Sequence, residues 1–172
     1  PPAPIVEGSA LLAQASIGQF DVRATPLQMA LVAAGIANGG DIMQPHVVDR
    51  VTDSNDGELL ARVEAQLWRQ AVVTEVAVAT EAMMVGVVET GSAQSLARNN
   101  LTVGAKTGTA EIDTFSGAED THAWVIAFAG PSGGEPELAL AVIVEAVPGQ
   151  GQQTGGAVAG PIAASLIDTH FG

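Results

Sequence analysis

The apolar and polar positions sort into a helical first half and a strand-rich last third. Pro1-Pro2-Ala3-Pro4 reads as an extended lead-in. The short apolar patch Leu11-Leu12-Ala13 precedes the irregular stretch Ser16-Ile17-Gly18-Gln19-Phe20. A helix start follows. Thr25 fits an N-cap, Pro26 the first helical position, and Gln28 lies three residues after the cap, which is a capping box with the favoured proline. Leu27, Leu31, Val32 and Ala34 mark its expected buried face, and Asn38-Gly39-Gly40 its stop. Val47-Val48 and Val51 predict a short strand, and Asp53-Ser54-Asn55-Asp56-Gly57 a turn. Leu59, Val63, Leu67 and Trp68 give looser apolar spacing. A second helix is predicted over 75–89, with Val76, Met83 and Val87 at helical spacing and Gly91 beyond its end.

The last third changes period. Leu101 to Ala110 reads as a strand, Glu111 to Asp120 as an acidic loop, and Ala123 to Ala129 as a second strand. Pro131-Ser132-Gly133-Gly134 signals a turn. Leu138 to Val144 is apolar at nearly every position, so this third strand should be covered on both faces. A Gly/Gln-rich loop leads to a closing helix over 156–167, with Pro161 near its start. Short-linked strands followed by a helix predict an α+β domain, an antiparallel sheet flanked by helices.

Composition narrows the classes. The chain has 172 residues, 47% hydrophobic and 15% charged, enough apolar material for a real core. Six basic residues against 19 acidic ones give a net charge of −13, which argues against nucleic acid and anionic membrane surfaces. With no cysteine, disulfides, thiol nucleophiles and Cys-type zinc sites are excluded. The stretch from Ala146 to Ile167 is uncharged but broken by glutamines, glycines and Pro161, so it makes a poor membrane span. The start has neither the basic end nor the apolar stretch of a signal peptide, and any export or anchoring signal is expected before residue 1.

Charge also singles out one segment, Val103-Gly104-Ala105-Lys106-Thr107-Gly108-Thr109-Ala110, because Lys106 is the only lysine. On a strand, Thr107 and Thr109 share one face, about 7 Å apart, and Lys106 and Gly108 share the other. If the strand lies at a sheet edge, its free N–H and C=O groups can pair with an extended peptide. Gly108 would admit that ligand close to the backbone. Two hydroxyls and an ammonium suit a carboxylate. Taken alone, K-T-G-T is better read as a strand with one solvated lysine. A phosphate loop is rejected, because Ala105 stands where a glycine must precede the lysine and Leu101 where the earlier glycine belongs. The scattered His46, His122 and His170 suit surface or packing roles better than a metal site, although His122, just before a strand, could orient a loop. Glu111, Asp113, Glu119 and Asp120 read as a solvated face, and Trp124 and Phe128 as core.

Lys106-Thr107-Gly108-Thr109-Ala110-Glu111 resembles the K-T-G signature of the penicillin-binding transpeptidases, shared with serine β-lactamases. Flanking features match in order. Ser16-Ile17-Gly18-Gln19 and Thr25-Pro26-Leu27-Gln28-Met29-Ala30 resemble the segment ahead of a long helix in that family, and Ala37-Asn38-Gly39-Gly40 its end. Met84-Val85-Gly86-Val87-Val88-Glu89-Thr90-Gly91 resembles the helix and turn before the signature strand, and His122-Ala123-Trp124-Val125 the next strand. The monofunctional class B is the best fit. Ala105 and Phe20 stand where the family often has glycine.

The resemblance implies a three-layer α/β/α fold that is incomplete in this chain. The family's Ser-x-x-Lys would need a serine at position 103, which is Val103, and no serine has Asn two residues on. Residues 1–172 are therefore expected to be the C-terminal portion of a transpeptidase domain, inactive and not an independent folding unit without the N-terminal portion that carries the nucleophile. The implied reaction is cross-linking of peptidoglycan stem peptides ending in D-Ala-D-Ala, through a serine acyl-enzyme that β-lactams trap. By the resemblance, Thr107 and Thr109 hydroxyls bind the terminal carboxylate, with Gly108 between them. Lys106 adds positive potential and helps proton movement, and the Thr109 N–H is an oxyanion-hole donor. No cofactor is implied. The implied setting is the extracytoplasmic face of the bacterial plasma membrane, with an anchor before residue 1 and cell-division or elongation proteins as further partners. The rival readings are a non-catalytic peptide-binding or β-lactam-sensing scaffold of the same fold and a serine β-lactamase.

Overall fold

A computed structural model of the chain describes residues 10–19, 22–112, 120–149 and 151–172. The first element, α1 (Ala10–Ser16), was not expected from the sequence, where only an apolar patch was visible. The next, α2 (Pro26–Ala37), starts where the local chemistry predicts. The Gln28 N–H donates to Thr25 Oγ1 at 3.2 Å, and the Thr25 N–H donates to Gln28 Oε1 at 2.8 Å. Gly39 and Gly40, at φ 62° and 99°, turn the chain out of the helix. The buried face differs from expectation. Ala33 and Gly35 are buried, whereas Leu27 and Val32 are exposed. The helix is apolar nearly all round, so spacing alone selects no face. Close approach does, because a Cβ on Gly35 would lie 2.7 Å from Ile42 Cγ1.

Two small antiparallel ladders follow. Strand β1 (Asp41–Met43) pairs with β4 (Leu67–Gln70), and β2 (Arg50–Thr52) with β3 (Leu59–Arg62). The predicted turn lies between β2 and β3, with Gly57 at φ 77° and Asp53 Oδ1 accepting the Asn55 N–H. Val47 and Val48 lie outside the strand. Pairing sets the boundary, because Arg50 faces Arg62 across the ladder and no partner extends to Val48. Helix α3 (Thr74–Glu89) buries Ala77, Met84 and Val88, whereas Val76 and Met83 are exposed and Val87 packs at the core margin.

The main sheet is antiparallel in the order β5 (Leu101–Glu111), β6 (Thr121–Pro131), β7 (Leu138–Val144). One face carries Val103, Ala105, Val125, Ala127, Leu140 and Val142. It packs against Val88 of α3, Leu96 of a 3₁₀ turn (Gln94–Leu96), and Ala163 and Ile167 of α4 (Gly160–Phe171). The other face carries Ile126 and Phe128, against Ala33 of α2 and Met84 of α3. Helices thus cover both faces, β7 included, as predicted. Gly104 makes room for the Phe128 ring, which a Cβ there would strike. A π-helical turn (Gly155–Ala159) leads into α4, and Pro161 sits in the first turn of that helix.

Arg98 ties the connection before β5 to α4. Its Nε and Nη2 donate to Asp168 Oδ1 and Oδ2 at 2.6 and 2.8 Å, and Nη1 donates to Ser95 O and Ala97 O. The hydrogen bond from this guanidinium holds the Asp168 carboxyl below its usual pKa of 3.8. A depressed native pKa gives stability that is present above the unfolded value and lost as pH falls through the native one. Wild type should therefore melt above Arg98→Ala at neutral pH, and acid titration of both melting curves should show the gap closing below about pH 4.

Candidate active site

Among the described residues, β5 has a strand neighbour only on the β6 side, so its other edge is open. The register across the distinctive segment is Lys106 to Ile126, Thr107 to Val125, Gly108 to Trp124 and Thr109 to Ala123. Alternation continues the Val103–Ala105 face through Thr107 and Thr109 and puts Lys106 and Gly108 on the opposite face.

Two side chains show which way the peptide groups of β5 point. Lys106 Nζ donates to the Thr107 carbonyl at 2.6 Å, and Gln19 Nε2 donates to the Thr109 carbonyl at 3.2 Å. Both carbonyls therefore face the open edge. In an antiparallel strand the N–H and C=O of one residue point the same way. The Thr107 and Thr109 N–H groups accordingly point to that edge too. Gln19 comes from a segment 90 residues away, and sequence reasoning assigned it no contact.

The hydroxyls are placed from the other side. Thr107 Oγ1 lies 2.6 Å from Ser92 Oγ, just after α3. Beneath both residues pass the glycines of the π-helical turn. A Cβ on Gly155 would strike the Trp124 carbonyl and come within 2.9 Å of the Gly108 oxygen, and one on Gly156 would strike the Ser92 carbonyl. Lys106 and Thr109 are exposed, and Thr107 and Gly108 are half-buried.

The π-helical turn is held in place by the first residues of β6 and the residue just before it. Asp120 is fully buried, which corrects the solvated face expected from sequence. Its Oδ2 accepts the Gly149 N–H and its Oδ1 the Gly151 N–H, each at 2.8 Å. Gly149 and Gly151 have φ 82° and 77°, which lets the loop wrap one carboxylate. Thr121 Oγ1 donates to Gln153 O and accepts the Gln153 N–H. His122 Nδ1 accepts the Ala146 N–H at 2.9 Å, which leaves the neutral ring's proton on Nε2 and makes the histidine a loop anchor. Glu111 is exposed, whereas Asp113 and Glu119 lie outside the described residues. Phe128 is core, but Trp124 is only half-buried. Among the described residues no cluster of His, Asp or Glu could hold a metal ion.

Residues 6–168 match the family model of the penicillin-binding protein transpeptidase domain. The chain is 39% identical over 163 residues to the peptidoglycan D,D-transpeptidase PbpA of Mycobacterium tuberculosis, covering 95% of this chain and 32% of that protein. It is 40% identical over 164 residues to PbpA of Mycolicibacterium smegmatis, at the same coverage. It thus spans about a third of the length of these curated relatives. Among solved structures, the ceftriaxone acyl-enzyme complex of penicillin-binding protein A from M. tuberculosis superposes with a TM-score of 0.79 at 36% identity, over 94% of this chain and 35% of that one. The penicillin G acyl-enzyme complex of the same protein gives 0.76 at 36% identity, with the same coverage.

Proposed function

The chain belongs to the penicillin-binding protein transpeptidase family, and on that premise we propose that it supplies the substrate-binding strand of a peptidoglycan D,D-transpeptidase. The observation that carries the reading is the open edge of β5, where the Thr107 and Thr109 peptide groups point outward beside the only lysine of the chain. In this reading the stem peptide lies along that edge as an added strand. The Thr107 and Thr109 hydroxyls and the Lys106 ammonium take the terminal carboxylate. A serine from the N-terminal portion of the domain attacks the penultimate carbonyl. The Thr109 N–H stabilises the resulting oxyanion, D-Ala leaves, and an amine of a neighbouring stem peptide releases the acyl group.

Several observations support the division of labour. The chain contains no Ser-x-x-Lys, and α3 exposes Val76 and Met83, apolar side chains suited to a cover from the rest of the domain. Among the described residues no helix is long and apolar enough to cross a membrane. The proposal therefore gives the membrane anchor, and contacts with cell-division or elongation proteins, to parts of the protein beyond these residues. It sets the active site on the outer face of the plasma membrane, where peptidoglycan is built. The test is labelling of the whole protein by fluorescent penicillin, followed by a chase. A label that persists through the chase is expected. Rapid release with turnover of the drug would make the protein a β-lactamase, and no label would leave a peptide-binding scaffold.

A further inference from the structure

Ser92 has no part in the reaction described so far, yet its surroundings hold it firmly against the proposed carboxylate site. After α3 the chain folds back on one carbonyl, because the Gly91 and Ala93 N–H groups both donate to Val87 O, at 3.1 and 3.2 Å. Gly91 permits this tight bend, since a Cβ there would lie 2.8 Å from Val87 Cα. Ala93 and Leu96 are fully buried just beyond, which pins the bend from one side. Gly156 presses on the Ser92 carbonyl from the other, at a distance only glycine allows. The backbone of Ser92 is thus fixed on both sides, while its side chain is exposed and meets Thr107 Oγ1 at 2.6 Å.

We infer that Ser92 is a positioning residue for substrate, which holds the Thr107 hydroxyl as a donor to the substrate carboxylate. The inference rests on the transpeptidase reading and deepens it. Each hydroxyl has one proton to give and lone pairs to receive. A threonine facing an anion must spend its proton on that anion. If Ser92 donates to Thr107 Oγ1, the Thr107 proton is free to do so, and the incoming hydrogen bond polarises it into a better donor. The same contact holds Thr107 in one rotamer before substrate arrives. Without Ser92 the hydroxyl can rotate, and its proton can turn to other acceptors. Lys106, on the opposite face of the strand, supplies charge but cannot fix this direction.

The test compares the acylation rates of the whole protein by a penicillin with a free carboxylate and by its methyl ester. The free acid should react faster in wild type. In Ser92→Ala the advantage of the acid over the ester should shrink by about tenfold, the worth of one well-made hydrogen bond to a charged group. Ser92→Thr, which keeps the hydroxyl, should restore it. In a Thr107→Val background, adding Ser92→Ala should change the ratio no further. Equal loss of both rates would mark Ser92 as merely structural and overturn the inference. An unchanged ratio in a folded Ser92→Ala variant would overturn it as well. If Ser92→Ala does not fold, Ser92→Cys, with its weaker donor, must still lower the ratio. Failure of wild type to react at all would instead sink the transpeptidase reading beneath it.

Discussion

Lys106→Ala should slow acylation of the whole protein by fluorescent penicillin by on the order of a hundredfold or more, comparable to the loss of a dedicated electrostatic group in a catalytic site. The chain carries a net charge of −13, and its one ammonium sits on the strand edge where an anion is proposed to bind. Removing it leaves two hydroxyls to hold a carboxylate within an acidic field. Lys106→Arg should restore only part of the rate, because a planar fork does not replace a compact point charge. Stability should change little, since the side chain is exposed and, among the described residues, its hydrogen bond is to the neighbouring carbonyl. Stopped-time labelling gives the rate, and a melting curve shows that the variant is folded. Labelling as fast as wild type in the folded variant would remove Lys106 from the site.

Asp120→Ala should cost about 3 kcal/mol or more, because it removes two charge-assisted hydrogen bonds to a buried carboxylate. The damage should spread. The loop that Asp120 gathers leads straight into Gly155 and Gly156, which pack under Gly108, Thr107 and Ser92. The variant should therefore melt lower and also acylate more slowly. Asp120→Asn keeps one acceptor oxygen and should lose about half as much. Denaturant titration and proteolysis within 145–153 measure the two effects. An Asp120→Ala protein as stable as wild type, with the loop equally resistant to protease, would show that the carboxylate does not organise this loop.

What was legible in the sequence was local or chemically rare. The start of α2 was readable because Thr25, Pro26 and Gln28 satisfy one another within a single turn. The strands β6 and β7 were readable because the turn residues Pro131 to Gly134 separate two apolar runs. The signature strand stood out because one lysine sits in an acidic chain, and the family resemblance it prompted holds for the chain as a whole. The helix faces were not readable. Around Val76 and Met83 the apolar residues stand side by side, so the true buried set, Ala77 and Met84, differs by one position. In α2 the small residues Ala33 and Gly35 hold the buried places, where Gly35 lets Ile42 approach closely. The supports of the site were also hidden. Asp120 meets backbone groups 29 and 31 residues away, Gln19 reaches Thr109 across 90 residues, and Ser92 meets Thr107 across a bend. None of these pairs leaves a periodic trace, and Asp120 in particular looked like one more solvated acid.

The central claim is that residues 106–109 form the binding strand of a serine acyl-transferase whose nucleophile lies elsewhere in the domain. Peptide mapping by mass spectrometry of the whole protein after reaction with penicillin tests it most directly. The account predicts one drug-sized adduct, on a serine N-terminal to Pro1 of this chain, formed much more slowly in Lys106→Ala. No adduct, or an adduct on a serine within residues 1–172, would contradict it.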